Sequence, residues 1–380
     1  MIYLDHNATT PVADDVLEAM HPYLAAHFAN PAASYRAAYE ARQAVEAARK
    51  AVAALLGSKP ANWIFTSGAT EALALAIGGL AHAQPARRHL VLSALEHPAV
   101  REPCRFLQAL GYEVEFVPAT QSGVVTAEAV ARAVRPKETL LVALMHANNE
   151  TGVRQPVQEV ARVCREREVA LVCDASQSAG KIPLNVETLG ADAVAVSAHK
   201  FHGPKGVGAL FLRPGLAFHS PLRGGGHQRG RRGGTENVAG IVGLGTAATL
   251  AQHHLTQQTY SRVAALRDHL QAGLAELAPD ARFNSADAPR LPTTLSVSFP
   301  GVHAEALAQQ LDDHHICVAP GAACHTGAGT PNETLVAMRI PETHIRGTLR
   351  FSLGRTTKET EINTVLTRLP TILAQARSNV

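Results

Sequence analysis

The chain has 380 residues, of which 46% are hydrophobic and 18% are charged, and its formal net charge is +3. This composition is typical of a soluble globular protein with a sizeable core, and the net charge is too small to indicate binding to nucleic acid or to an anionic membrane surface. The start, MIYLDHNATTP, lacks a basic region followed by an apolar run, and no apolar stretch of about 18 residues occurs anywhere. We therefore predict no signal peptide, no membrane span and a cytoplasmic location.

The five cysteines are an odd number and form no CxxC pair, which argues against a disulfide framework or a zinc site. Four of them fall in helical or apolar strand-like patterns and are predicted to be small core side chains: Cys104, Cys164, Cys173 and Cys317. Cys324 differs, because it lies in the glycine-rich stretch APGAACHTGAGTPNE, where a thiol would be accessible.

From about residue 60, short apolar runs alternate with helical stretches. The runs are WIFTS, HLVLSAL, EVEFV, TLLVALM, VALVCDA and DAVAVSA. Nearly continuous apolar strands separated by helices predict an α/β domain whose mostly parallel sheet is covered on both faces. Functional loops are then expected at the carboxyl ends of the strands.

A long helical run reaching about Leu277 follows, and the remaining chain has fewer strands interleaved with helices. We predict a large domain over residues 15–260. Residues 1–14 and 261–380 are predicted to form a smaller α+β domain that carries the Cys324 loop.

The segment TSGATEA, with Ala69 and Thr70, follows the first strand of the large domain and opens a helix. Small residues and hydroxyls at a helix N-terminus form a phosphate cradle, because free backbone N–H groups and the helix dipole point at the anion. An ordinary Ser/Thr N-cap is the alternative interpretation.

Polar side chains also follow the later strands. These are His97, Asn148, Asn149, Glu150, Asp174 and Gln177. A carboxylate on the last turn of an apolar strand is costly to bury unpaired, so Asp174 needs a cationic partner, and a pyridinium nitrogen would be one.

The segment AVSAHKFHGPKG places Ser197, His199 and Lys200 at the end of another apolar strand. A lysine that is partly desolvated has a lowered pKa and becomes a nucleophilic amine, although a surface lysine at a glycine-rich turn is the alternative. A phosphate cradle, a buried aspartate and such a lysine together suit pyridoxal phosphate. We predict that Lys200 forms the Schiff base, that Asp174 keeps the ring nitrogen protonated, and that Ser197 and His199 help to hold the phosphate.

With these residues, the chain resembles the NifS/IscS-type cysteine desulfurases of the class V aminotransferase family. The motifs that carry the resemblance, in the family's order, are YLDHNATTP, SGATEA, NNETG, DASQS, AHKFHGPKG, GGGHQRGRRGGTENV, GAACHTG and RFSLGRTT. The resemblance covers almost the whole chain. It implies the type I fold of pyridoxal phosphate enzymes, with a mostly parallel seven-stranded sheet in the large domain.

The resemblance also implies roles for residues around the cofactor. Ala69 and Thr70 would bind the phosphate, and His97 would stack on the ring and move protons. Asn149 and Gln177 would contact the ring substituents.

Further implied roles concern the substrate and a second subunit. Thr235 would reach the phosphate of the neighbouring subunit's cofactor, which implies a homodimer with shared sites. Arg350 would hold the substrate carboxylate, a role that suits a bidentate guanidinium, and Asn7 and Asn149 would line the substrate side.

Cys324 matches the family's catalytic cysteine, and its accessible position suits thiolate chemistry. The implied reaction converts L-cysteine to L-alanine and leaves the sulfur on Cys324 as a persulfide. An acceptor such as an iron–sulfur scaffold protein, or a route to thiolated tRNA or another thio-cofactor, would then receive it.

The main alternative is a selenocysteine lyase on the same scaffold. Pro320-Gly321-Ala322-Ala323 stands where a common family form has Ser-Gly-Ser before Ala-Cys, and the run GAACH with His325 is similar to selenocysteine lyases. An aminotransferase or carbon–carbon lyase of the same family is a second alternative, although neither chemistry needs Cys324.

A metal-binding or nucleic-acid-binding protein is a third alternative, suggested by the 19 histidines and the basic stretch HQRGRR. However, the pairs His253-His254 and His314-His315 fall in helical patterns, where neighbouring residues point to different faces. HQRGRR is short and lacks interleaved aromatic residues, so a phosphate or subunit contact fits it better. No metal site is therefore predicted.

Overall fold

The computed structural model describes residues 1–321 and 332–378. Within them, the α-helices are α1 (Asp14–Met20), α2 (Pro22–Ala25), α3 (Arg36–Leu55), α4 (Ala69–Ala83), α5 (Pro98–Ala109), α6 (Ala127–Ala133), α7 (Val157–Glu166), α8 (Val186–Leu189), α9 (Val238–Thr256), α10 (Thr259–Leu277), α11 (Ala304–Asp313), α12 (Glu333–Ala337), α13 (Glu342–Ile345) and α14 (Glu359–Ser378). The strands are β1 (Ile2–Tyr3), β2 (Trp63–Thr66), β3 (His89–Ser93), β4 (Glu113–Val117), β5 (Thr139–Ala143), β6 (Ala170–Asp174), β7 (Ala193–Ser197), β8 (Gly208–Leu212), β9 (Arg282–Phe283), β10 (Thr294–Ser298), β11 (Ile316–Cys317), β12 (Ala319–Pro320) and β13 (Thr348–Ser352).

A seven-stranded sheet has the order β2-β8-β7-β6-β5-β3-β4. β8 runs antiparallel to both of its neighbours, and the remaining pairs are parallel. The predicted α/β fold with a mostly parallel seven-stranded sheet is therefore confirmed. The parallel strands β3, β5, β6 and β7 end at one edge, where the loops with polar side chains begin.

Apart from the edge strand β4, both faces of this sheet are buried. Successive side chains of a strand point to opposite faces, so each strand contributes to two clusters. In β3, Leu90 and Leu92 belong to one hydrophobic cluster together with side chains of α4 and α5. Val91, between them, belongs to a second cluster with side chains of α3, α7 and α9. These layers hold the strand ends in fixed positions.

A second, antiparallel sheet has the order β12-β13-β10-β9. A third hydrophobic cluster packs this sheet against α10, α11 and α14, and it includes Leu4 from the N-terminal segment. β1 pairs in parallel with β11, so the start of the chain lies beside the C-terminal region. The domain boundaries given above stay a prediction.

Two local expectations were wrong. Cys317 is only partly buried, because β11 has two residues and pairs only with β1, which leaves the thiol 3.7 Å from an Asp312 carboxylate oxygen. His314 and His315 follow the end of α11, and only His253 and His254 lie inside a helix. Among the described helices, none combines the length and the apolar character needed to cross a bilayer.

Candidate active site

A cavity of about 560 Å³ lies at the carboxyl ends of the parallel strands. The predicted site residues that line it are Asn7, Ala69, Thr70, His97, Asn149, Asp174, Gln177, Ser197, His199, Lys200 and Arg350. They come from the N-terminal loop, from several loops of the large sheet and from β13 of the second sheet. Folding thus brings widely separated motifs into one space.

One predicted residue of the described part of the chain, Thr235, does not line this cavity. Thr235 is exposed in the loop before α9 and lines a separate cavity of about 90 Å³, although Ser67 and Gly206 contribute to both spaces. Cys324 lies outside the described residues.

The N-terminus of α4 forms one end of the large cavity. Gly68 is the N-cap residue and no side chain caps the helix, so the backbone N–H groups of its first turn lack a side-chain acceptor there. A Cβ atom at Gly208 would lie 2.7 Å from the Cα of Gly68, so the close approach of β8 to this turn requires glycine. The turn therefore presents backbone donors to the cavity beside the buried Ser197.

An ion pair that the sequence patterns did not indicate supports this turn. Both carboxylate oxygens of Glu71 contact Arg232, at 2.7 Å from Nε and 3.1 Å from Nη2. Glu71 also accepts a hydrogen bond from the backbone N–H of Ser67. The loop that carries Thr235 is thereby attached to the end of the cavity that α4 forms.

Lys200 ends the short 3₁₀ turn that follows β7. Its Nζ donates hydrogen bonds to the backbone oxygens of Asn7 (2.7 Å) and Ala8 (2.9 Å). Burial, followed by the charge of Arg350, lowers the pKa of the Lys200 amine to about 8. The free, nucleophilic form of this amine is therefore accessible near neutral pH.

His199, beside Lys200, is held by a contact of 3.1 Å between its Nδ1 and the Thr9 hydroxyl. Burial and the nearby Lys200 lower the pKa of His199 to about 4. The imidazole is thus neutral at physiological pH and can donate only through one ring nitrogen.

Asp174 ends β6, and its Oδ1 accepts a hydrogen bond from the backbone N–H of Ser176 at 2.9 Å. Among the described residues, no lysine or arginine forms an ion pair with Asp174. The buried hydroxyl of Ser176, also on the cavity wall, has no hydrogen-bond partner in the described structure. This side of the cavity therefore offers a carboxylate and a hydroxyl to a polar, cationic group.

His97 is the N-cap residue of α5, and its Nδ1 accepts a hydrogen bond from the backbone N–H of Ala99 at 3.1 Å. A neutral imidazole that accepts at Nδ1 carries its proton on Nε2. His97 therefore caps α5 and lies on the cavity wall at the same time.

Arg350, on β13, is buried in the cavity wall next to the N-terminal segment of the chain. Its guanidinium contacts the carboxylates of Asp5 and Glu150, each at 2.8 Å, and donates to the backbone oxygen of Asn149 at 3.2 Å. Its Nε has no partner in the described structure. An incoming carboxylate therefore meets a guanidinium that two acidic side chains already orient.

Lys181 is a second lysine near the site that sequence reasoning missed. Its side chain is buried behind the cavity wall, where its Nζ donates to Gln177 Oε1 (2.8 Å) and to Asn7 Oδ1 (3.3 Å). The segment SQSAGKIP has no hydrophobic periodicity that would distinguish it from a surface loop, so the local sequence does not indicate that Lys181 is buried.

Comparisons with known proteins show which family the chain belongs to. The model of the family "Aminotransferase class-V" matches residues 2–365. The cysteine desulfurase IscS of Dictyoglomus turgidum is 39% identical over 378 residues, which cover 99% of this chain and 95% of that protein.

Two solved structures have the same fold. A NifS-like protein has a TM-score of 0.92 and 36% identity, and the match covers 98% of this chain and 99% of the other. SspA in complex with cysteine has a TM-score of 0.80 and 34% identity, covering 93% and 99%. The chain therefore belongs to the class-V aminotransferase family, among the IscS-like and NifS-like proteins that its motifs predicted.

Proposed function

We propose that this protein is a pyridoxal phosphate-dependent cysteine desulfurase, which converts L-cysteine to L-alanine and moves the sulfur to Cys324. The observation that carries the proposal is that Lys200, Asp174 and the N-terminus of α4 line one cavity. The relative described above is named a cysteine desulfurase, and SspA has been solved with cysteine, which favours cysteine over selenocysteine as the substrate.

The residues present fit pyridoxal phosphate. The first turn of α4, with Ala69 and Thr70, would hold the phosphate together with Ser197 and His199, because these groups supply hydrogen-bond donors at the positive end of a helix. Asp174 has a carboxylate without a cationic partner among the described residues, and a protonated ring nitrogen would provide one.

The other side chains on the wall would orient the ring. We assign His97 to the ring face, and Asn149 and Gln177 to the ring substituents. When bound, pyridoxal phosphate supplies an electron sink that makes the α-proton of an amino acid removable.

Lys200 would hold the cofactor through its free amine and would move the α-proton of the substrate. Burial favours the uncharged amine, while the two backbone oxygens that accept its hydrogen bonds fix its direction. An amine whose pKa is about 8 can both accept and return a proton near neutral pH.

Arg350 binds the substrate carboxylate, with Asn7 and Asn149 lining the same side of the cavity. Since Asp5 and Glu150 already contact the guanidinium, the substrate displaces one of these contacts or uses Nε. This arrangement positions the guanidinium before the substrate arrives.

Cys324 attacks the substrate sulfur as a thiolate. A sulfur–sulfur bond forms, the carbon–sulfur bond of the substrate breaks, and the electron pair of that bond, with a proton, completes the methyl group of alanine. The persulfide on Cys324 then passes its outer sulfur to an acceptor, for which we propose a protein such as an iron–sulfur scaffold. Because this chemistry needs a free thiol, and the described cysteines are all free, we propose a cytoplasmic location.

We also propose a homodimer with shared sites. Thr235 is exposed and does not line the cavity of its own chain, which suits a role at a neighbour's cofactor. Large apolar side chains that are more than half exposed occur close together in the sequence at Leu17, Leu24, Phe28, Tyr35 and Tyr39. Apolar surface of this kind is typical of a subunit interface.

Mixed subunits test the shared site. Thr235→Ala and Lys200→Ala variants are each expected to lose activity, because each lacks one part of every site. Dimers formed from one copy of each should regain one complete site, so the activity of the refolded mixture should exceed that of either variant. If the mixture is as inactive as its components although both variants fold and form mixed dimers, Thr235 does not serve the neighbouring site.

The activity itself is tested with purified protein, pyridoxal phosphate and L-cysteine. We expect alanine and a persulfide on the peptide that contains Cys324, with one persulfide per chain in the first turnover. Alanine is measured by chromatography and the persulfide by alkylation and mass spectrometry. Transamination products or carbon–carbon cleavage without a persulfide would instead identify another activity of the class-V family.

A further inference from the structure

Glu150 is an acidic side chain on the cavity wall to which the proposed function assigns no step. It lies in the loop that follows β5, and its Oε1 is 2.8 Å from Nη1 of Arg350. The same oxygen accepts a hydrogen bond from the side-chain amide of Asn149 at 2.6 Å. Within the described structure, this carboxylate therefore lies on the guanidinium that would receive the carboxylate of the substrate.

Asp5 contacts the same guanidinium from a different position. Its Oδ1 is 2.8 Å from Nη2 of Arg350, but Asp5 is not among the residues that line the cavity. Its backbone pairs with Ser352 of β13, and its carbonyl oxygen accepts a hydrogen bond from the Tyr3 hydroxyl. The two acids thus differ: Glu150 lines the cavity, whereas Asp5 holds the guanidinium from outside it.

The guanidinium offers no open edge to an incoming carboxylate. A carboxylate that accepts two hydrogen bonds from arginine uses either Nε with one terminal nitrogen or both terminal nitrogens. The first edge is closed in this structure, because Nε of Arg350 has no partner but is buried from solvent. Both nitrogens of the second edge already contact an acid, Nη1 with Glu150 and Nη2 with Asp5. Bidentate binding of the substrate therefore requires one of these acids to leave.

Charge favours an exchange over the addition of a third acid. A guanidinium with two carboxylates has a net negative charge, and a third carboxylate in the same desolvated space would add repulsion to acids that already share one arginine. If the incoming carboxylate takes the place of Glu150, the number of acids on Arg350 does not change. Glu150 is the one that can leave, because its side chain lines the cavity, whereas the backbone of Asp5 is paired with β13.

We propose that the Glu150 carboxylate occupies the place of the substrate carboxylate on Arg350 in the free protein, leaves when the substrate binds and returns when the product departs. This inference rests on the proposed function, because it takes Arg350 as the group that binds the substrate carboxylate. Glu150 then has two effects. It keeps the buried guanidinium paired between turnovers, and it competes with every carboxylate ligand, including the alanine product.

The test measures the binding of a small carboxylate to the full-length protein without added cofactor. The probe is trifluoropropionate, which has neither an amine nor a thiol, and its fluorine NMR signal gives a dissociation constant by titration. In Glu150→Gln we expect this constant to fall about tenfold, because the competing charge-assisted contact is lost. Trifluoropropionamide, the neutral analogue, should change its dissociation constant by less than about twofold, since it has no charge to pair with Arg350.

Asp5→Asn is the matched control, because it removes the same charge from the same guanidinium at a side chain that does not line the cavity. We expect its gain in affinity for the carboxylate to stay below about threefold. An equal gain in both variants would show that only the net charge matters, and it would overturn the proposal, as would an unchanged constant in Glu150→Gln. Should Glu150→Gln fail to fold in circular dichroism, Glu150→Ala is titrated in its place and decides by the same two outcomes.

The inference and the proposed function can fail separately. If the wild type loaded with pyridoxal phosphate forms no alanine from L-cysteine, the proposed function is contradicted, while the carboxylate titration keeps its meaning. If alanine is formed, L-alanine should inhibit Glu150→Gln about tenfold more strongly than the wild type, because the competitor that displaces the product is absent. Equal inhibition of the two proteins would exclude the return of Glu150 to Arg350 when the product departs.

Discussion

Replacing Lys200 with alanine is expected to remove the visible absorption band of bound pyridoxal phosphate and to reduce cysteine desulfuration by about 10³-fold. The amine lies in the cavity, where it donates to the backbone oxygens of Asn7 and Ala8, and its lowered pKa favours the nucleophilic role that we propose for it. Alanine keeps the backbone turn but offers neither a nitrogen to attach the cofactor nor a base for the α-proton. Absorption spectra of the protein after addition of cofactor and gel filtration measure the first effect, and alanine release measures the second.

Two controls make this result specific. Lys358→Ala, which changes an exposed lysine, should keep both the band and the activity. In the wild type, reduction with borohydride should link the cofactor permanently to the Lys200 peptide. A Lys200→Ala protein that stays as yellow as the wild type would show that another amine attaches the cofactor.

Replacing Cys324 with alanine is expected to leave the cofactor spectrum intact while sulfur transfer is lost. The described hydrogen bonds of Lys200 and Asp174 are made with Asn7, Ala8 and Ser176, so we expect cofactor binding to persist, but the substrate sulfur then has no thiolate to receive it. We expect no persulfide on the protein and a fall in alanine formation of at least about a hundredfold. The spectrum, the alkylated peptides and the released alanine are measured on one preparation.

Cys317→Ala is the matched control, since Cys317 is the partly exposed thiol of the described chain. Its persulfide and alanine yields should equal those of the wild type. Full sulfide release from Cys324→Ala with L-cysteine would refute the role of this residue. Turnover of L-selenocysteine by Cys324→Ala, combined with poor turnover of L-cysteine by the wild type, would favour the selenocysteine lyase alternative, because a selenol leaves more readily than a thiol.

Much of the large sheet could be predicted from local patterns. Runs such as HLVLSAL and DAVAVSA are mostly apolar because both faces of these strands are covered, by α4 and α5 on one side and by α3, α7 and α9 on the other. The position of the site followed from the same reasoning. Parallel strands end at a common edge, so His97, Asp174 and Lys200 had to lie near one another once their strands were identified.

The direction of β8 was beyond such patterns. It runs antiparallel to both β2 and β7, although its sequence, GALFL, is as apolar as that of the parallel strands. The direction of a strand depends on how the chain connects it to the preceding strand, and a short apolar run does not indicate that connection.

Local patterns were enough to predict most strands of the large sheet, the start of a helix at Ala69 and the family, because each of these depends on neighbouring residues or on motifs that can be read in order. The meeting of distant charged and polar groups became visible only in the folded chain: Arg350 with Asp5 and Glu150, Glu71 with Arg232, and Lys181 with the amide oxygen of Asn7. These contacts join residues whose separation along the chain has no period, so no local pattern can encode them. Their strength arises from burial, which exists only after the layers have packed.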